Sequence, residues 1–96
     1  MTTRVAVMSI IVDCVKGEDS VEALNALLHD HGKYIIGRMG LPYREKKINL
    51  ISVALDAPQD VISALSGRIG NLPGVTVKTA YSGVITGADG AEGKDC

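Results

Sequence analysis

The sequence predicts an α+β domain of β-α-β-β-α-β order, a four-stranded antiparallel sheet with two helices on one face. Three observations carry that prediction. Two apolar stripes at helical spacing, Val21-Leu24-Leu28 and Ile62-Leu65-Ile69-Leu72, each stand between segments rich in Val and Ile. Each stripe opens at an acidic or proline-bearing turn and closes at His31-Gly32 or Pro73-Gly74. The pattern occurs twice in 96 residues, and right-handed crossovers of two successive βαβ halves place both helices on one side, the ferredoxin-like arrangement.

The first strand spans residues 4–14, with Val5, Val7, Ser9 and Ile11 on one face and Ala6, Met8, Ile10 and Val12 on the other. Both faces are apolar. Such a strand is either closed into a barrel or central, with helices over one face and a partner subunit over the other, and the helix signals that follow favour the second. Gly17-Glu18-Asp19 turns the chain and puts acid at a helix start, and helix one runs over residues 19–31. Tyr34 to Met39 forms strand two, and Pro42 to Lys46 reads as an exposed loop. Ile48 to Ala57 is strand three. Asp56-Ala57-Pro58 starts helix two, Asn71-Leu72-Pro73-Gly74 ends it, and Val75, Val77, Thr79 and Tyr81 make strand four. From Gly83 onward Gly, Ala, Asp, Glu and Lys dominate, so the domain is placed at residues 1–82 and residues 83–96 are expected to be a flexible tail. Leaving Met8, Ile10, Ile51 or Val53 in water would create a patch that monomers seldom carry, and a homo-oligomer, dimer or tetramer, is expected to cover it or to extend the sheet.

A chain of 96 residues is one domain, burying roughly 65% of its unfolded surface. Its core is aliphatic, since it has three Tyr and neither Phe nor Trp. Lys and Arg number 10 against 11 Asp and Glu, so no global field draws it to nucleic acid or to an anionic membrane. The run from Val5 to Val12 is too short and polar to span a bilayer and lacks a signal-cleavage site, which leaves the cytoplasm as the expected compartment and Cys14 and Cys96 as reduced thiols.

The segment Tyr34-Ile-Ile-Gly-Arg-Met-Gly-Leu-Pro-Tyr-Arg holds residues that packing does not require. Arg38 sits in an apolar strand between Gly37 and Gly40, either solvated or held at an interface by an anion. The glycines either relieve close packing or let a ligand or subunit approach the backbone. Tyr43 and Arg44 form a corner after Pro42, a surface stack or the mouth of a site. His29 and His31 point to different sides of a helix, and no third histidine or cysteine pair completes a metal set, so no metal or other cofactor is expected. Cys14 lacks a base, no phosphate-binding glycine loop is present, and Arg44, Lys46 and Lys47 around Glu45 are too few for a nucleic-acid footprint. No catalytic constellation is present, and the chain is read as a non-enzyme.

On Tyr34 to Glu45, on Ile48-Asn-Leu-Ile-Ser-Val-Ala-Leu-Asp and on Leu65-Ser-Gly-Arg-Ile-Gly-Asn-Leu-Pro-Gly-Val, the chain resembles the family of proposed iron-only hydrogenase system regulators, over residues 4 to about 82. That family is similar to the ACT-like ferredoxin fold and to the C-terminal regulatory domain of the nickel-responsive repressor, which bind small effectors at subunit interfaces. The repressor's histidine-rich ligand set and its DNA-binding arm have no counterpart here, so the resemblance implies fold and oligomerisation and no metal. In ACT domains the effector lies at the first strand-to-helix turn, which here is Val15, Lys16, Gly17 and Glu18. The resemblance thus implies an oligomeric sensor, acting in transcriptional or hydrogenase-system regulation through a partner. Arg38 would hold a ligand's negative group, Gly40 would let it approach, Tyr43 and Arg44 would close the mouth, and Gly17 would lie beside it. The alternative is a structural homo-oligomeric module in which the same segment makes only subunit contacts.

Overall fold

A computed structural model describes residues 2–86. Its elements follow the order β1 (Thr3–Asp13), α1 (Ser20–Asp30), β2 (Ile35–Tyr43), β3 (Ile48–Ala57), α2 (Gln59–Gly70) and β4 (Val75–Thr86), with single 3-10 turns at Gly32–Tyr34 and Arg44–Lys46. The strands form one sheet in the order β2-β3-β1-β4, with every neighbouring pair antiparallel. The expected ferredoxin-like architecture is borne out.

The register decides which face is core. Met8 pairs with Val53 and Ile10 with Ile51, and because side chains alternate with a period of two, Ala6, Met8, Ile10 and Val12 of β1 share a face with Ile51, Val53, Leu55 and Ala57 of β3. These eight are buried, and with Leu24, Leu27 and Leu28 of α1 and Ile62, Leu65 and Ile69 of α2 they make the core. Each large side chain so enclosed is worth about 1.5–3 kcal/mol of transfer free energy. The expected bare patch therefore needs correcting in its membership. Met8, Ile10, Ile51 and Val53 lie under the helices, and the open side carries Val7 and Ile11 of β1 with Met39, Leu41 and Tyr43 of β2, all exposed. Alternation in β1 was plain in the sequence, but two apolar faces gave no sign of which one the helices take.

Two strand ends also differ from expectation. β2 continues through Pro42 and Tyr43, which pair with Asn49 and Ile48, so the anticipated loop shrinks to the turn Arg44–Lys46. Proline is tolerated because β2 is an edge strand whose only neighbour is β3. β4 runs past Tyr81 to Thr86, crossing an irregularity opposite Val5 before Ile85 meets Arg4 and Thr86 meets Thr3. That strand takes in the first residues of the expected tail, while Cys96 and residues 87–96 lie outside the described residues. Arg4 anchors this end by stacking over the Tyr81 ring at 4.8 Å and donating to Gln59 Oε1 at 2.9 Å.

At the other end the last residues of β1 are tied to both sides. The Asp13 N–H donates to the Gly74 carbonyl at 2.8 Å and the Cys14 N–H to the Lys47 carbonyl at 2.9 Å. Ser20, the buried first residue of α1, donates its hydroxyl to the Pro73 carbonyl at 2.6 Å. The β1–α1 turn is thereby clamped between the α2–β4 and β2–β3 connections.

Candidate functional site

Arg38 pairs with Val53, which puts it on the helix side of β2, where its Nη2 donates to Asn25 Oδ1 of α1 at 3.1 Å. Together they border a cleft of about 500 Å³ with Leu28, His29, Gly32 and Ile35. The guanidinium is exposed and is met by a neutral amide. His31 does not join this cleft. Its Nδ1 donates to the Leu27 carbonyl at 2.8 Å, a satisfied helix end. Among the described residues no group of three or more His, Cys, Asp or Glu is placed to hold a metal.

Gly37 and Gly40 face open space, for a Cβ built on either meets nothing within 4 Å. Neither glycine is required by packing inside one chain. Gly17 is the opposite case. A Cβ there would stand 2.5 Å from the Pro73 carbonyl oxygen and 3.0 Å from that of Asp13, so glycine is needed for two loops to touch. Its partner in that contact, Gly74, has φ of +71°.

Tyr43 and Arg44 share a cleft of about 400 Å³ at the end of the sheet with Cys14, Val15, Pro42 and Lys47. The Tyr43 hydroxyl donates to Glu45 Oε2 at 2.9 Å. Lys47 holds a left-handed backbone, φ 53°, fixed by its N–H to the Arg44 carbonyl at 3.2 Å and by its carbonyl to the Cys14 N–H. A second cleft of about 450 Å³ lies on the other side of the β1–α1 turn, lined by Lys16 to Ser20 with Leu72 and Pro73, and both clefts include Val15. Asp13 shapes this turn by accepting from the N–H groups of Val15 and Lys16. The backbone N–H of Lys16, then that of Val15, hold its carboxyl below the ordinary value of 3.8.

The structure brings Tyr43 and Arg44 together and sets Gly17 in the adjoining cleft. Arg38 stands apart, since six residues of extended chain put its Cα roughly 20 Å from that of Arg44. Pro42 stood beside Tyr43 and Arg44 in the expected corner, but sequence reasoning placed Cys14 and Lys47 nowhere near it. Lys47 stood in a basic cluster, but nothing local announces its positive φ or its bond to Cys14.

Two βαβ halves, a helix-free apolar sheet face and open clefts define the class of this protein, a ferredoxin-like α+β domain. Residues 4–79 match the family model described as TM1266-like, a proposed iron-only hydrogenase system regulator, and the chain belongs to that family. Among solved structures it is similar to the uncharacterized protein TM1266 from Thermotoga maritima, with 35% identity over 82% of this chain and 96% of that one, at a TM-score of 0.77. The C-terminal domain of MgtC from Mycobacterium tuberculosis shares the fold at 11% identity, TM-score 0.63, covering 82% of this chain and 87% of that one. So does a formyltetrahydrofolate deformylase from Pseudomonas putida, at 13% identity and TM-score 0.59, over 81% of this chain and 29% of that one. No curated protein matches the sequence. The resemblance to the regulator family expected from the sequence is borne out, and no helix among the described residues is long and apolar enough to cross a membrane.

Proposed function

We propose that this chain is a non-enzymatic regulatory module, a homo-oligomer that binds a small effector near its β1–α1 turn and passes the change to a partner protein. The observation that carries this reading is the open side of the sheet. Met39 is 70% exposed and Leu41 61% on β2, and Ile11 43% and Val7 40% on β1, the two strands that flank β3. With Tyr43 they offer roughly 500 Å² of surface, at the upper end of what a monomer leaves in one patch, a size that is often functional, and more than half of what one partner contributes to a standard interface. A second copy is the occupant that fits, because a two-fold interface lets one apolar face cover itself. The open space over Gly37, which pairs with Ala54 on the helix-free side, leaves room on β2 for that copy to approach. Membership in a family of proposed regulators supports the non-enzymatic reading, and the clefts flanking the turn supply places for an effector.

In this assignment Tyr43 and Arg44 contact the effector and Gly17 holds the turn that presents it, while Arg38 and Gly40 lie on the helix side of β2, away from the proposed interface. Sedimentation equilibrium at micromolar concentration tests the assembly, with a dimer or tetramer expected, and a single-chain mass would end the proposal. Thermal shifts across a metabolite panel test the effector. An oligomer indifferent to every compound would be the structural module, without ligand, instead.

A further inference from the structure

Among the clefts formed by the described residues, the one at the end of the sheet combines features that packing does not call for. The cleft beside α1 has a single guanidinium, Arg38, already bonded to Asn25, and the one at the β1–α1 turn mixes Lys16 with Glu18 and Asp19. The cleft at the end of the sheet is different. Arg44 and Lys47 both line it, no acidic side chain does, and Val15 and Pro42 give it apolar walls. Neither cationic side chain has a partner among the described residues, and the nearest carboxylate in sequence, Glu45, accepts from Tyr43. Two cations over low-dielectric walls focus a positive potential into a small volume. The volume, about 400 Å³, suits a small organic molecule. Both walls are held in place, because the Cys14 N–H on one donates to the Lys47 carbonyl on the other at 2.9 Å.

We infer that this cleft binds a small amphipathic anion, with a carboxylate or phosphate head between Arg44 and Lys47 and an apolar body against Val15 and Pro42. The inference names the effector class for the regulatory module and rests on reading the chain as one that binds a ligand. Cys14 lines the same cleft and is partly accessible, so its thiol reports on occupancy.

The test uses the full chain carrying Cys96→Ser, which leaves Cys14 as its single thiol. Its alkylation by iodoacetamide is timed by mass spectrometry in the presence of benzoate, phenyl phosphate, the neutral analogue benzamide or inorganic phosphate. Amide shifts of Val15, Lys47 and Asn49 are followed in parallel. For a dissociation constant near 1 mM, an anion at 10 mM should slow alkylation by about tenfold. Benzoate or phenyl phosphate is expected to do so, the stronger one naming the head group, while benzamide and inorganic phosphate have little effect. Arg44→Gln with Lys47→Gln should remove the protection and leave the amide spectrum folded. Equal protection by benzamide or by inorganic phosphate, protection that survives the double variant, or neither slowing nor shifts with both organic anions would overturn the inference. Sedimentation of the same samples separates it from the proposed assembly. A monomer that binds removes the assembly and keeps the site, and an oligomer that does not bind removes the site alone.

Discussion

Gly17 and Gly74 touch across the gap between two connections that lie far apart in sequence, and they make opposite predictions from Gly40. Gly17→Ala drives a methyl into a backbone carbonyl 2.5 Å away and should cost about 1–3 kcal/mol in urea unfolding. Gly74→Ala adds the left-handed penalty of roughly 1 kcal/mol to a contact of 2.6 Å with the Gly17 nitrogen. Gly40→Ala meets open space on the helix side of β2 and should leave one chain unchanged or up to about 1 kcal/mol more stable. Asp13 supplies a pH signature. Its folded carboxyl titrates below the ordinary 3.8, so its contribution is complete above that value and is lost as pH falls through the lower folded one. Asp13→Asn keeps an acceptor for the Val15 and Lys16 N–H groups, and its stability should fall less steeply than the parent's in acid titrations below about pH 4. Gly17 was legible only as part of a generic strand-to-helix turn. Its reason is the carbonyl of Pro73, which no local pattern reveals.

Among the elements, β2 carries the most testable consequence. Met39 and Leu41 project from the helix-free side of an edge strand, so Met39→Lys with Leu41→Lys removes nothing from the core. The double variant should shift the sedimenting species to one chain, with monomer stability changed by only about 0.5 kcal/mol per site. By contrast, Leu65→Ala in α2 empties a fully enclosed site and should cost about 2–5 kcal/mol whatever the subunit number. The helices and central strands were readable because one physical rule, burial at a fixed period, wrote both. β2 was less so. Pro42 and Tyr43 look like turn residues until the edge position of the strand is known, since there a missing N–H breaks no ladder on the free side. The end of β4 was hidden for a related reason, because the irregularity opposite Val5 interrupts the alternation that would have announced it.

For the molecule as a whole, the β-α-β-β-α-β order and its expected cover of a bare sheet face came from hydrophobic pattern and handedness, both of which are written along the chain. The candidate site did not come whole. Tyr43 and Arg44 drew attention as unusual types, but Cys14 and Lys47 join them only through the pairing of β1 with β3. One arrangement in this architecture has a practical side. Thr3 lies opposite Thr86, so the start of β1 and the end of β4 are adjacent, while the Cys14–Lys47 cleft sits at the far end of β1, roughly 30 Å away along eleven extended residues. A fluorophore, a surface tether or a host protein's loop joined there would leave the cleft facing solution. The domain is thus geometrically suited to be transplanted as a cassette, with both of its seams on one side and that cleft on the other.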